Sequence, residues 1–334
     1  MMRRIAINGF GRIGRMFLRI LLQRQEKDLE VVAVNDLADP ESLAYAFRYD
    51  SVHGRWNAPF DLEKNHFVVD GKKMAVLNEP DPSRLPWKEW DVEGVIECSG
   101  KFTNREGALK HLQAGARRVL VSAPAKEADL TITMGVNEDR YDPQRHQIVS
   151  NASCTTNCIA PVAKVLHDAF IIEHALMNTV HAYTSSQALL DTPKKKNRRR
   201  GRAAALSLIP TTTGAAIAAT QALPELAGKI NGMAIRAPIP DVSILDLVAQ
   251  TREPVDVPKI LDAFRKAEQT PRLAPILQVS EEELVSVDYV GSPYSAVIDA
   301  PSTMVVGEHL LRVMAWYDNE WGFSNRLVDV AQLL

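Results

Sequence analysis

Cys154 is the side chain in this sequence best equipped for covalent chemistry, and its surroundings are the reason. It lies in Ser150-Asn151-Ala152-Ser153-Cys154-Thr155-Thr156-Asn157-Cys158. The preceding Gln147-Ile148-Val149 reads as the end of a strand, and 159–166 has helical spacing, with Thr and Asn where a first turn would begin. A cysteine at a helix N-terminus faces free N–H groups and the positive end of the helix dipole, which favour its thiolate. A free cysteine is ordinarily a small buried hydrophobe. The Ser, Thr and Asn around Cys154 argue against a hydrophobic pocket there, so Cys154 is read as a nucleophile and Cys158, one turn later, as packing. A cysteine nucleophile needs a base. Of the 8 histidines, His181 is best placed, near the end of a strand read at 175–184 and 27 positions beyond Cys154. Without the cysteine, a buried core histidine would be the ordinary reading.

A second group of residues has the spacing of a dinucleotide turn. A short apolar strand at 4–8 leads into Gly9-Phe10-Gly11-Arg12-Ile13-Gly14, and a helix follows at 15–22. Glycines in this order allow a tight turn, close approach of backbone to a pyrophosphate, and close helix–strand packing. The next strand, 31–35, ends at Asp36, 22 positions after Gly14. An acid there accepts hydrogen bonds from ribose hydroxyls and repels a 2′-phosphate, which points to NAD. A hairpin at 67–77 turns on Asp70-Gly71, and strands at 94–98 and 118–121 end in Ser99 and Ser122. Cys98 reads as packing and His53 as a surface or hinge residue. Strand and helix alternate through about residue 150, the pattern of a parallel, doubly wound α/β sheet.

The elements after Cys154 follow a different rhythm. Strands are read at 230–236, 243–251, 284–289, 296–299 and 309–317, interrupted by a helix at 257–268 and closed by one at 321–334. Runs of strand without intervening helices imply a mixed or antiparallel sheet, hence an α+β second domain. Thr211-Thr212-Thr213-Gly214 reads as the opening of a small-residue helix at 215–223, and hydroxyls with free N–H groups at such a start hold a tetrahedral anion. The one concentrated charge run is Lys194-Lys195-Lys196-Asn197-Arg198-Arg199-Arg200-Gly201-Arg202. It is short and lacks aromatic residues, so it reads first as a solvated or interface loop, then as an arginine aimed at phosphate, and last as a nucleic-acid patch.

Composition narrows the classes further. The 334 residues suffice for about two domains, and 39 basic against 41 acidic residues leave a net charge of −2, so no global field favours nucleic acid or membrane. An apolar share of 46% suits a globular protein, and no apolar run is long enough to span a membrane. Three cysteines are too few for a disulfide framework and suit a reducing compartment, so a cytoplasmic protein is expected. No metal is expected.

Taken with His181-Ala182-Tyr183-Thr184 and Trp316-Tyr317-Asp318-Asn319-Glu320, these motifs carry a resemblance. The chain resembles the phosphorylating glyceraldehyde-3-phosphate dehydrogenases from Ile5 to its C-terminal helix. The resemblance implies a Rossmann NAD-binding domain over 1–153, a catalytic domain over 154–319, a helix at 320–334 that returns to the first domain, and a homotetramer. It implies that Cys154 attacks the aldehyde, with His181 as base. Thr184 and Arg236 would hold the substrate phosphate. Ser153, Thr213 and Gly214 would hold inorganic phosphate, with Thr155 beside Ser153 and Arg200 near both sites. Asn8, Gly9, Gly11, Arg12, Ile13, Gly14, Asp36, Ser99 and Ser122 would line NAD, and Asn319 would hold its carboxamide. Thr192-Pro193 resembles the NAD-type members. Many members carry Asn-Asp where this chain has Ser185-Ser186, which removes a carboxylate near the substrate phosphate. Two rival readings remain: an erythrose-4-phosphate dehydrogenase, which hydrolyses its thioester, and a catalytically silent redox-sensing or binding protein on the same fold. NADH formation from a phosphorylated aldehyde separates enzyme from non-enzyme, and dependence on phosphate separates the two enzymes.

Overall fold

The computed structural model describes residues 2–195 and 197–334; Lys196 of the basic run lies outside them. The chain forms two compact units. One comprises the chain up to Ile132, Glu138–Ala152 and Ser324–Leu334; the other comprises Thr133–Asn137 and Ser153–Phe323.

In the first unit the elements begin β1 (Arg3–Asn8), α1 (Arg12–Arg24), β2 (Leu29–Asn35), α2 (Pro40–Arg48), β3 (Asp61–Glu63), β4 (His66–Val69) and β5 (Lys72–Leu77). They continue β6 (Gly94–Glu97), α3 (Arg105–Gln113), β7 (Arg118–Val121), β8 (Leu130–Thr131) and β9 (Ile148–Ser150). One sheet holds these strands in the order β3-β4-β5-β2-β1-β6-β7-β9-β8. Every pairing from β5 to β8 is parallel, and β3 and β4 add an antiparallel edge. The inner strands are apolar on both faces (Ile5-Ala6-Ile7, Val95-Ile96, Val119-Leu120-Val121, all buried), as a sheet covered on both sides requires. The hairpin does turn on Asp70-Gly71, both in the left-handed region at φ 49° and 76°.

α1 starts earlier than 15–22, so Gly14 lies within its first turn. α2 was not expected. Its signals were present, since Asp39 caps the Ser42 N–H at 2.8 Å and Pro40 occupies the first helical position. The final residues of the chain complete the unit: Asp329 and Asn325 each bond the Arg24 guanidinium at 2.6 Å.

The second unit runs α4 (Cys154–Phe170), β10 (Ile172–Ala182), β11 (Ile209–Thr212), α5 (Ala215–Ala222), β12 (Ile230–Ala237), β13 (Ser243–Thr251) and α6 (Val257–Glu268). It continues β14 (Leu277–Ser280), β15 (Ala296–Asp299), β16 (Met304–Val306) and β17 (Leu310–Tyr317), and α7 (Trp321–Leu333) then carries the chain into the first unit. The sheet order is β11-β12-β10-β13-β17-β15-β14, with β16 on β17. β10–β12 and β14–β15 are parallel and the other pairings antiparallel, so the sheet is mixed. α4 packs Cys158, Ile159, Val162 and Leu166 onto Met177, Leu245, Leu247 and Val313. Burial of each such aliphatic side chain contributes about 1.5–3 kcal/mol.

One expectation for this unit is corrected. Residues 284–289 are not a strand: Asp288 accepts the Val285 N–H at 2.9 Å, which closes a short helical turn at Ser286–Tyr289 and leaves Val285 and Val287 exposed. The strand lies upstream, at β14. The small-residue helix does open at Ala215, after Thr213 and Gly214; Thr211 and Thr212 end β11, because β-branched Ile209, Thr211 and Thr212 extend along β12.

Candidate active site

α4 begins where Ser153 caps it. The Ser153 hydroxyl accepts the Thr156 N–H at 3.1 Å, which leaves Cys154 as the first helical residue. His181 is the penultimate residue of β10, and its Nε2 lies 3.4 Å from Cys154 Sγ. Parallel pairing of β10 with β12 sets Arg236 directly opposite His181. Arg236 Nη1 donates to the Ala182 carbonyl at 3.0 Å and lies 2.9 Å from His181 Nδ1. Nδ1 is itself 2.7 Å from that carbonyl. Nδ1 thus meets both a donor, Arg236 Nη1, and an acceptor, Ala182 O; of the two neutral tautomers, the one that donates from Nδ1 to Ala182 O leaves the Nε2 lone pair toward the sulfur, able to take the thiol proton.

Beneath the pair lies Tyr317. Its hydroxyl bonds Thr155 Oγ1 at 2.9 Å and Thr179 Oγ1 at 2.8 Å, and its ring stands edge-on to His181. Thr155 therefore faces this floor rather than an open phosphate site, contrary to expectation: at 4% exposure its hydroxyl is already engaged.

The electrostatics of the pair also differ from the reading of the local sequence. Cys154 leans on the apolar core of its unit, and burial pushes its thiol up, against the smaller downward pull of Thr155 and Arg236. Burial first, then Arg236, holds His181 down at about 4. Polar neighbours in sequence do not prevent this desolvation, because the other face of α4 packs onto the sheet. Both shifts favour a thiol beside a neutral imidazole.

Beside the pair stand two guanidinium groups. The Arg236 guanidinium is depressed by burial and by Arg200 close by, so two cations stand together and an anion between them would relieve both. Arg200 is held by its Nε on Thr211 Oγ1 at 3.0 Å, and Asn197 shares that hydroxyl at 3.1 Å. Thr213 Oγ1 accepts the Ala215 N–H at 3.2 Å, and Gly214 takes the N-cap position of α5. Thr184 is exposed, its hydroxyl 2.8 Å from that of Ser186.

In the first unit, a cavity of about 330 Å³ is lined by Asn8, Gly9, Gly11, Asp36 and Ser99, with Asn35, Glu79 and Cys98. Gly9 has φ 94°, and a Cβ there would stand 2.4 Å from the Ser99 nitrogen; at Gly14 it would stand 2.2 Å from the Gly9 carbonyl. Both positions thus require glycine. α1 has no side-chain cap and no acid in its first turn, so nothing acidic offsets the positive end of its dipole, which favours an anion. These features fit a dinucleotide. Asp36 accepts the N–H groups of Phe10 and Ala38 at 2.7 and 3.1 Å. Arg12 is pinned by Asp50, a buried carboxyl held down at about 2 by its backbone N–H donors and by Arg12 itself. Ile13 follows in α1, and Ser122, just past β7, donates its N–H to Glu97 O at 3.0 Å. Cys98, beside this cavity, is pushed up to about 12 by burial, which fits packing rather than chemistry.

Asn319, buried in the second unit, has its Oδ1 fixed by the Ser243 hydroxyl at 2.7 Å, which leaves the other end of its amide as the donor. Ser243 also accepts the Ala182 N–H at 3.1 Å, linking Asn319 to the strand of His181. Sequence reading missed Ser243, Asp50 and the supporting role of Tyr317. Only Tyr317 had a local signal, its place in the Trp316–Glu320 motif.

Two family models match the chain. Residues 3–105 match the glyceraldehyde 3-phosphate dehydrogenase NAD binding domain, and residues 153–319 match the C-terminal domain of the same proteins. The chain is 54% identical to the glyceraldehyde-3-phosphate dehydrogenase of Geobacillus stearothermophilus, over 98% of this chain and 97% of that one. It is 54% identical to that of Kitasatospora aureofaciens, over 100% and 99%. Against glyceraldehyde-3-phosphate dehydrogenase 1 of Bacillus subtilis it is 52% identical, over 98% and 97%. With a thiol and imidazole in contact, paired guanidiniums beside them and a glycine turn built for a dinucleotide, the chain belongs to the glyceraldehyde-3-phosphate dehydrogenase family.

Proposed function

We propose that this protein oxidises D-glyceraldehyde 3-phosphate to 1,3-bisphosphoglycerate, a step of glycolysis or gluconeogenesis, with NAD and inorganic phosphate. The observation that carries the reading is the 3.4 Å contact of Cys154 Sγ with His181 Nε2, beside Arg236. His181 takes the thiol proton as Cys154 adds to the aldehyde carbon, giving a thiohemiacetal whose oxygen is held by N–H groups at the start of α4. When bound, NAD accepts hydride from that carbon. The thioester left on Cys154 is then attacked by phosphate, releasing the acyl phosphate and restoring the thiol. Arg236 and Thr184 hold the substrate phosphate. Ser153, Thr213 and Gly214 hold the attacking phosphate, with Arg200 between the two. Asn8, Gly9, Gly11, Arg12, Ile13, Gly14, Asp36, Ser99 and Ser122 line NAD, and Asn319 holds its carboxamide.

A homotetramer in the cytoplasm completes the reading. Leu176 and Met233, on the adjacent strands β10 and β12, and Leu310, on β17 two strands beyond β10, are 69%, 43% and 42% exposed, apolar surface of the kind a second copy covers. Three free thiols suit a reducing compartment, and no helix among the described residues is long and apolar enough to cross a membrane.

The test crosses glyceraldehyde 3-phosphate and erythrose 4-phosphate with phosphate present or absent. Glyceraldehyde 3-phosphate should have the higher kcat/KM, with turnover dependent on phosphate. Faster erythrose 4-phosphate oxidation that ignores phosphate would replace this reading with the hydrolytic one.

Cofactor choice gives a further expectation. NAD should be strongly preferred over NADP, because the Asp36 carboxylate opposes a 2′-phosphate. Asp36→Gly should narrow the kcat/KM ratio by about tenfold or more, equivalent to ~1.4 kcal/mol. It should also weaken NAD itself, since the carboxylate holds the Phe10 and Ala38 N–H groups. Equal use of NADP by the unmodified protein would refute the assignment.

A further inference from the structure

Behind the glycine turn lies a buried polar chain that the reaction does not use. Glu97, the last residue of β6, is 1% exposed, and all of its acceptor positions are filled. Oε1 accepts the Ser99 N–H at 2.8 Å and the Ser99 hydroxyl at 2.5 Å. Oε2 accepts Asn8 Nδ2 at 2.5 Å and faces His111 Nε2 at 3.1 Å. His111, on α3, is fully buried, and its Nδ1 lies 3.1 Å from the indole nitrogen of buried Trp87. An indole N–H can only donate, so Nδ1 accepts and the proton of His111 sits on Nε2, aimed at Glu97. The tautomer is thus fixed from behind, and the carboxylate receives four donors.

The chain continues on the far side. Asn8 Oδ1 accepts Asn35 Nδ2 at 2.7 Å, and Asn35 in turn bonds both the N–H and the carbonyl of Glu79 at 2.9 Å. Three of these residues, Asn8, Asn35 and Glu97, end the neighbouring strands β1, β2 and β6 at their carboxyl edges. Ser99 is where that edge is tightest, since even a methyl group on Gly9 would collide with its backbone nitrogen. Buried carboxylates are costly unless every lone pair is satisfied. A fully satisfied network has one arrangement, and this one fixes Asn8, Gly9 and Ser99 along the cavity.

We infer that Glu97 and His111 are positioning residues for the dinucleotide: they hold Ser99 and the Asn8–Gly9 turn in the binding geometry before NAD arrives. Neither needs to touch NAD. The inference rests on NAD occupying the glycine-turn cavity. Pre-organisation of this kind shows in affinity, because a loosened turn must be ordered again on binding.

Glu97→Gln keeps the shape but places an NH₂ group among donors, so either Asn8 and His111 or Ser99 loses its acceptor. His111→Leu removes the donor. His111→Gln retains an acceptor for Trp87 and a donor for Glu97. The dissociation constants of NAD and of ADP-ribose, measured by calorimetry, should rise about tenfold in Glu97→Gln and in His111→Leu. They should stay within about threefold of the unmodified value in His111→Gln. The rate at which iodoacetamide alkylates Cys154, and the KM for the aldehyde, should move far less than the NAD constant.

A lowered Tm with an unchanged NAD constant in Glu97→Gln would overturn the inference and leave the network a purely structural one. Should Glu97→Gln fail to fold, His111→Leu decides; an NAD constant unchanged there would also overturn the inference. If the unmodified protein bound neither NAD nor ADP-ribose, the cofactor reading would fall and this inference with it. If it bound both, and Asp36→Gly weakened them while Glu97→Gln did not, only the inference would fall.

Discussion

Cys154→Ser is expected to lower NADH formation from glyceraldehyde 3-phosphate by at least ~10³-fold while leaving NAD affinity nearly unchanged. A serine hydroxyl occupies the same position at the start of α4, but it is far less acidic than a thiol and a poorer nucleophile toward the aldehyde. His181 gains no compensating strength, because burial and Arg236 keep it a weak base. An oxygen ester, were one to form, would also be a worse acyl donor to phosphate than a thioester. The residues that line the cofactor cavity do not include Cys154, so binding of NAD has no reason to fail. Two measurements check this: steady-state NADH formation, and the mass of the protein after mixing with aldehyde and NAD without phosphate. The unmodified chain should carry the acyl group and the serine variant should not. Retention of more than a few per cent of the activity would place the nucleophile elsewhere.

Much of this site was legible in residues that are local to one another. The glycine turn announces itself because strand, turn, helix and acid must follow in sequence for the geometry to exist. Ser153 caps α4 within three residues, so the helix that begins at Cys154 could be read as well. The rest depends on pairings between distant segments. Nothing near Arg236 says that it faces His181; that follows from the parallel register of β10 and β12, 55 positions apart. Nothing near Ser243 says that it holds Asn319, and nothing in Tyr49-Asp50-Ser51 says that Asp50 pins Arg12. The environment of Cys154 was misread for the same reason. Its sequence neighbours are polar, yet desolvation is set by what packs on the helix from the sheet. In 284–289, apolar residues in a strand-like pattern were overruled by one carboxylate, that of Asp288, closing a turn. Asn8, Glu97 and His111 are each unremarkable in sequence, and only the sheet joins them.

His181→Asn is expected to lower kcat by several decades, because the variant loses both activation of the thiol and removal of the proton during oxidation. Each contributes about 10²-fold, so ~10⁴-fold in all. The pH dependence separates a catalytic histidine from a core one. His181 is held at about 4, below its ordinary range, so it stays neutral and able to accept a proton across the neutral range. Acid removes that capacity. Alkylation of Cys154 by iodoacetamide should therefore hold steady near neutrality and fall only as pH drops toward about 4, where His181 gains its proton. In the Asn variant no base accepts the proton. The reaction then depends on ionisation of a thiol that burial has pushed up, so its rate should be low at neutral pH and climb through pH 9. Asn cannot remove a proton, and its side chain still fills part of the space beside Tyr317, so collapse of the fold is not the expected cause of the loss. Circular dichroism and NAD affinity, both unchanged, would check that. An Asn variant with the same alkylation profile and turnover as the unmodified chain would return His181 to the core.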